Sequence, residues 1–142
     1  YITKIRSSGG FYPDRIVIVN RGFSLMPRIA PDVDAVMFEC FTTCYDSARR
    51  GYRRFTDEEL AWTHLMYTQH LQQFQEEGGV ILALDYARSN QKSLVNQAWS
   101  RARDYGFLPC IAERNLARIL TVKPAPDPAF LKRYGRAVLD AR

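Results

Sequence analysis

Long hydrophobic runs are missing from this sequence. No apolar stretch approaches the ~18 residues that cross a bilayer as a helix, so no membrane span is expected. A charged-then-apolar leader is missing too. The sequence opens at Tyr1, an odd start for a natural chain, and the expectation is that a segment upstream has been removed, which leaves targeting illegible. Histidine is scarce: His64 and His70 are six positions apart, about 240° around a helix, so they share no face for a metal. The three cysteines, Cys40, Cys44 and Cys110, are an odd number with no Cys-x-x-Cys pair. That argues against a disulfide framework, and a Cys40–Cys44 bridge stays open only for an oxidising compartment. A glycine-rich phosphate loop is lacking, since Asn20-Arg-Gly22 holds a single glycine, and there is no G-x-S-x-G elbow. Neither histidine falls at a strand end, where a triad would need one. The chemistry left is carboxylate chemistry.

What is present is ordinary for a globular protein. The 142 residues are 46% hydrophobic and 25% charged, enough chain for one domain, or a piece of one, with a real core. The net charge is +5, with basic residues dispersed except in Arg49-Arg50-Gly-Tyr-Arg53-Arg54. Such a cluster suits a polyanion. Without an accompanying nucleic-acid motif it reads as a solvated loop, and nucleic acid is not an expected partner.

Taken in order, residues 1–8 read as the tail of a helix, stopped by Gly9-Gly10, and residues 11–14 as a turn. Ile16-Val-Ile-Val19 is a β-branched strand ending at Asn20-Arg21-Gly22. Residues 23–29 are a short helical stretch limited by Pro27 and Pro31. Asp34-Ala-Val-Met-Phe-Glu39 is the central stretch: four apolar residues, as in a strand buried on both faces, closed by a carboxylate. An unpaired carboxylate is too costly to bury, so Glu39 is expected at the strand's C-terminal mouth. Residues 40–46 read as a polar and aromatic loop that could wall a pocket. Thr56 and Glu59 form a capping box opening a helix to about residue 77, which Gly78-Gly79 ends. Val80-Ile-Leu-Ala-Leu84 is the third strand, ending at Asp85-Tyr86. A helix over 90–105 closes on Gly106, and Phe107-Leu-Pro-Cys-Ile111 is the fourth strand, ending at Glu113. Asn115 could cap a last short helix through Leu120. Residues 121–128 contain three prolines and read as a linker, and 130–139 as an amphipathic helix.

Strands separated by crossovers of this length predict α/β with a parallel sheet. Four strands fit either a small open doubly wound sheet or half of an eight-stranded barrel, which typically needs about 250 residues. A start inside a helix favours the half barrel. Parallel order brings Asn20, Arg21, Glu39, Asp85, Tyr86 and Glu113 to one side.

Ile16-Val-Ile-Val-Asn-Arg-Gly-Phe23, Val33-Asp-Ala-Val-Met-Phe-Glu39 with Tyr45-Asp46, Val80-Ile-Leu-Ala-Leu-Asp-Tyr86 and Ala102-x-x-x-Gly106-Phe-x-Pro109 together resemble the polygalactosaminidase-like glycoside hydrolases, family 114. The resemblance covers roughly residues 1–120, leaving 121–142 as linker and C-terminal helix. It implies the second half, strands five to eight, of a (β/α)₈ TIM barrel, with the upstream half of the same barrel as structural partner. It also implies endo-hydrolysis of α-1,4-linked galactosamine-containing polysaccharide. The family's catalytic carboxylate at the sixth strand's end falls on Glu39. Its partner aspartate, at the end of the fourth strand, would precede Tyr1, so this chain alone is expected to be inactive. Cys40 stands where a small polar residue is expected. An extracytoplasmic location follows from the resemblance only.

Two carboxyl groups flank the scissile bond in such chemistry, and no cofactor or metal is called for. Glu39 would be one of the pair, with a raised pKa if it is the acid. Asn20, Arg21, Tyr45, Asp85, Tyr86 and Glu113 are the expected substrate-binding set. Asp85 would hold a sugar group or orient Glu39's neighbours, with a loop-bracing bond as its structural alternative. Tyr45 and Tyr86 would offer stacking faces, against half-buried packing, and for Glu113 a salt bridge with Arg114 or a neighbour is favoured over catalysis. An acidic cleft would suit a cationic amino-sugar polymer. The rival readings are a non-catalytic carbohydrate-binding barrel and a small doubly wound ligand-binding domain.

Overall fold

The structure, a computed structural model, describes residues 16–116 and 119–120. The helix tail at 1–8, the turn at 11–14 and the segment 121–142 lie outside the described residues. Four parallel strands form the sheet: β1 (Ile18–Asn20), β2 (Ala35–Glu39), β5 (Val80–Tyr86) and β6 (Leu108–Ala112). A short β7 (Ile119–Leu120) joins β6 antiparallel. The spatial order β1-β2-β5-β6-β7 follows chain order. Among the described residues it never reverses, so there is no switch point of the kind that defines a doubly wound sheet. Consecutive parallel β/α units advancing in one direction are the topology of a barrel wall.

The period-2 alternation of the strands sorts side chains onto two faces. Val36, Phe38, Ile81 and Ala83 face the helices and join Phe23, Met26, Leu71, Phe74, Ala102 and Phe107 in the main core. Phe38 is the hub, with ring centroids 4.6 Å from Phe23 and 5.1 Å from Phe41. The other face carries Met37, Leu84, Tyr86, Cys110 and Ala112, which pack together as a smaller cluster. In a barrel that second face is the interior. Glu39 has the parity of Met37 and so belongs to it.

The helices follow their end signals. Helix α1 (Met26–Ile29) is flanked by 3₁₀ turns, Phe23–Leu25 and Ala30–Asp32, with a proline early in both α1 and the second turn. Helix α2 (Asp57–Met66) starts with the expected capping box: Glu59 N donates to Thr56 Oγ1 at 3.3 Å and Thr56 N to Glu59 Oε2 at 2.7 Å. Helices α3 (Gln72–Glu76) and α4 (Lys92–Asp104) both end in Schellman closures. After α4, Gly106 N donates to Arg103 O and Phe107 N to Ala102 O, both at 2.8 Å. Gly79 is needed for space, because a Cβ there would lie 2.3 Å from the Phe74 ring.

Several expectations are corrected. The single helix expected to residue 77 is α2 and α3 joined by a π-helical turn, Tyr67–Leu71, which seats Tyr67 against Tyr105 and Phe107 at 5.2 and 5.4 Å. The wider turn re-phases the helix so that Leu71 and Phe74 both reach the core. The expected loop and basic cluster are instead a hairpin, β3 (Thr43–Asp46) with β4 (Gly51–Arg54). The helix expected after Asn115 is instead a turn, with Leu116 at φ 56° and its N donating to Glu113 O, leading into β7. The first strand is not fully buried: Ile16 and Ile18 are 54% and 48% exposed.

Candidate active site

Strand register explains how Glu39 is held. Asn20 pairs with Met37, two residues behind Glu39 on the same face. Glu39 itself pairs with Leu84, two residues behind Tyr86. The carboxylate is therefore flanked from both neighbouring strands. Asn20 Nδ2 donates to Oε2 at 3.0 Å and the Tyr86 hydroxyl to Oε1 at 2.7 Å. Arg21, at φ 54°, turns back so that its guanidinium donates to the Glu39 carbonyl at 2.8 and 3.3 Å. The Asn20 bond, then the Tyr86 bond, hold the Glu39 carboxyl below its ordinary pKa against a partial burial that raises it, and Arg21's charge adds to the lowering. Burial and the Glu39 contact push the Tyr86 phenol upward, so it stays a donor. Glu39 is thus kept ionised. It is placed to serve as a base or nucleophile rather than as the acid that a raised pKa would require.

Asp85 does something other than contact substrate. It has the parity of Ile81 and Ala83, so it points away from the face that carries Tyr86 and Glu39, and it is 1% exposed. Its Oδ1 accepts the backbone N–H groups of Phe41, Thr42 and Thr43 at 3.0, 2.7 and 2.7 Å. The loop leaving Glu39 is folded round this one oxygen, helped by Cys40 at φ 55°, whose N donates to Leu84 O at 2.7 Å. Thr43 Oγ1 accepts from Tyr86 N at 3.1 Å, tying the loop back to β5. Burial raises the Asp85 carboxyl to about 6, against the pull of the three N–H donors and of Arg101. The loop-bracing alternative describes its geometry.

Arg101 was invisible to sequence reasoning, one arginine among many on a helix. Its guanidinium lies 4.0 Å over the Phe41 ring and donates to the Phe41 carbonyl, to Thr63 Oγ1 at 2.9 Å and to Leu60 O at 3.2 Å. It fastens the loop after Glu39 to α2 from below.

The hairpin stands directly after that loop. Tyr45 and Tyr52 are cross-strand partners with rings 5.3 Å apart, edge to face. Tyr52 also packs against the cluster that holds Tyr86. Arg114 does not pair with Glu113 as expected: its guanidinium lies 4.5 Å over the Tyr45 ring, occupying a face expected to stack sugar. Glu113 is half-buried just past β6. The hairpin's own arginines are largely neutralised. Arg53 bridges Glu59 at 2.6 Å and Asp46 at 3.4 Å, and the Arg53 contact holds the Glu59 carboxyl down at about 2. The pairing Tyr45–Tyr52 had a signal: alternating Thr-Cys-Tyr-Asp and Gly-Tyr-Arg-Arg around a four-residue turn.

The cysteines are free thiols, and burial, largest of several causes, lifts Cys40 to about 12. His64 Nδ1 meets the Tyr105 hydroxyl at 2.9 Å, ahead of the start of β6. Among the described residues no group of His, Cys, Asp and Glu is arranged to hold a metal, and no helix is long and apolar enough to cross a membrane.

No protein-family model and no curated protein matches the chain. Two solved structures do: the glycoside hydrolase domain of PelA from Pseudomonas aeruginosa, and a variant of it with one glutamate replaced by alanine. Each superposes with a TM-score of 0.67 at 21% identity, over 84% of this chain and 45% of theirs. At that identity the likeness is one of fold. The chain is an α/β assembly of parallel β/α units similar to about half of a glycoside hydrolase barrel domain.

Proposed function

We propose that this chain forms the Glu39-bearing part of a glycoside hydrolase that cleaves polysaccharide by a two-carboxylate mechanism. The observation that carries the reading is Glu39 itself: a half-exposed carboxylate at the end of a parallel strand, on the inner face, ionised by Asn20 and Tyr86. Two donors fix its oxygens without consuming all their lone pairs. That leaves an oriented anion able to attack an anomeric carbon or to activate a water. The opposing acid is assigned to the upstream half of the barrel, at the end of the strand expected before Tyr1. The described residues make one domain with that half. Asn20, Arg21, Tyr86 and Glu113 line the substrate side, while Asp85 acts through the loop it braces.

The sugar follows from the family resemblance: α-1,4-linked galactosamine-containing polymer is the first substrate to assay. The acidic cleft expected to favour it is weaker than sequence suggested, because Asp85 is buried. The test is Glu39→Gln in the intact protein, which keeps shape but removes the anion. Loss of a base or nucleophile is expected to lower cleavage by about 10²-fold or more with binding retained. Cleavage at the wild-type rate sinks the assignment and leaves a non-catalytic carbohydrate-binding barrel as the reading.

A further inference from the structure

Asp85 and Arg101 grip the two ends of one peptide unit. In the Phe41–Thr42 peptide, the N–H of Thr42 donates to Asp85 Oδ1 at 2.7 Å, and the carbonyl of Phe41 accepts from the Arg101 guanidinium. A peptide is a dipole, positive at N–H and negative at C=O. A carboxylate therefore sits at its positive end and a guanidinium at its negative end. Burial raises the Asp85 carboxyl and lowers the Arg101 guanidinium, and each charge opposes the shift of the other. Tyr105 and Arg54 are the other titratable or charged groups that act on Arg101. The guanidinium is anchored on α2 by Thr63 Oγ1 at 2.9 Å and Leu60 O at 3.2 Å, and Thr63 is itself fully buried. The whole arrangement lies on the helix side of the sheet, away from the face that a barrel closes over.

The turn that precedes this peptide needs the hold. Cys40, between Glu39 and Phe41, stands at φ 55°, a left-handed conformation that a non-glycine residue keeps only where its surroundings impose it. On one side Cys40 N extends the β2–β5 ladder by a bond to Leu84 O at 2.7 Å. On the other side Asp85 and Arg101 fix the peptides that follow. With that second hold released, the turn relaxes and the ladder bond frays. Glu39, the immediate neighbour, then loses its alignment with Asn20 and Tyr86.

We infer that Arg101 is a positioning residue for Glu39: by gripping the Phe41–Thr42 peptide opposite Asp85, it holds the Glu39 carboxylate against Asn20 and Tyr86. Its consequence for catalysis rests on the glycan-cleaving reading of Glu39. The competing account is that Phe41 holds the loop by packing alone. That ring is fully buried, with centroids 5.1, 5.0 and 4.9 Å from those of Phe38, Tyr105 and Phe107.

Arg101→Met in the intact protein keeps an apolar stem over Phe41 and removes the guanidinium. Arg103→Met, on the same helix with its guanidinium 4.6 Å over the Trp99 ring, is the control for lost charge. The Glu39 pKa is read by carbon NMR titration of its carboxyl, which requires no turnover. Asn20 and Tyr86 hold that pKa low. In Arg101→Met it is expected to rise toward the ordinary carboxylate value, and the acidic limb of the kcat/KM profile to rise with it. On galactosamine-containing polymer, kcat should fall by at least about tenfold with KM within about threefold, since misplacing a reacting group by about 1 Å can cost roughly 10²-fold. Arg103→Met should change none of these. An unmoved Glu39 pKa in folded Arg101→Met overturns the inference and leaves the packing of Phe41 as the hold. An equal rise in Arg103→Met overturns it too. If Arg101→Met does not fold, Arg101→Lys decides, because an ammonium keeps the charge without the fork: a raised Glu39 pKa supports the positioning role and a wild-type value overturns it. Cleavage that persists in Glu39→Gln sinks the hydrolase reading and leaves the pKa test standing. Glu39-dependent cleavage with an unmoved Glu39 pKa in Arg101→Met sinks the positioning role alone.

Discussion

Replacing Asp85 separates its charge from its shape. The wild-type carboxylate is buried, and burial raises its folded pKa from 3.8 to about 6. The folded state therefore holds the proton more tightly than the unfolded chain. Stability from this group is gained as pH falls from about 6 to about 4, and the cost of ionisation is fully present above about 6. A difference of about two units corresponds to roughly 3 kcal/mol. That cost is already net of three backbone bonds to Oδ1, at 3.0, 2.7 and 2.7 Å, which hold the rise down. Asp85→Asn keeps an acceptor for them and removes the ionisation cost, so at pH 7 it is expected to be more stable than wild type by up to roughly 3 kcal/mol, an advantage that vanishes near pH 4. Asp85→Ala removes the acceptor and leaves three donors unpaired in a buried loop. At roughly 1–3 kcal/mol each, that is a large share of a typical 5–15 kcal/mol of stability. The loop is expected to open to water rather than bear the full cost. Urea unfolding of the intact protein between pH 4 and 8 reads the first effect, and amide exchange at Phe41, Thr42 and Thr43 the second. The expected results are a loss of stability as pH rises from about 4 to about 6 that wild type shows and Asp85→Asn lacks, and fast exchange in Asp85→Ala alone. Protected amides in Asp85→Ala, or identical slopes in wild type and Asp85→Asn, refute the account.

Asn20→Ala and Tyr86→Phe each remove a donor that lowers the Glu39 pKa, so each should move the acidic limb of the kcat/KM–pH profile upward. An unmoved limb would mean another group titrates there. Cys40→Ser with Cys44→Ser should leave turnover within about threefold, because burial holds both thiols protonated at neutral pH and neither reaches the Glu39 carboxylate by a hydrogen bond. A collapse in rate with the fold intact would point to thiol chemistry. Gly79→Ala forces a methyl into the Phe74 ring, at 2.3 Å before relaxation, and should cost about 1–3 kcal/mol in denaturant unfolding. A neutral outcome would show that Phe74 can swing aside freely.

Much of the architecture was legible because it rests on local physics. Four short apolar runs marked the parallel strands, Thr56 and Glu59 marked the start of α2, and Gly78-Gly79 and Gly106 marked helix ends, each through a backbone preference that neighbours in sequence suffice to express. The place of Glu39 at a strand mouth followed from the cost of burying a bare carboxylate. Strand parity was also available in the sequence: Asp85 and Tyr86 are adjacent, so they face opposite sides of the sheet and cannot both meet one ligand.

What the sequence could not supply depends on partners far along the chain. The ionisation of Glu39 is decided by Asn20 and Tyr86, 19 and 47 residues away. The burial of Asp85 is decided by a loop more than 40 residues upstream that wraps its oxygen, and Arg101 gains its role only when α4 is laid against that loop. The hairpin hid because its strands are short and its basic turn has the composition of a solvated loop; only pairing across Tyr45 and Tyr52 makes it a strand pair. The sequence by itself determined the four parallel strands, the start of α2 and the ends of α3 and α4, and that a carboxylate would end β2. Tertiary structure decided that carboxylate's charge state and neighbours, because hydrogen bonding and burial are properties of the assembled sheet and not of any one segment.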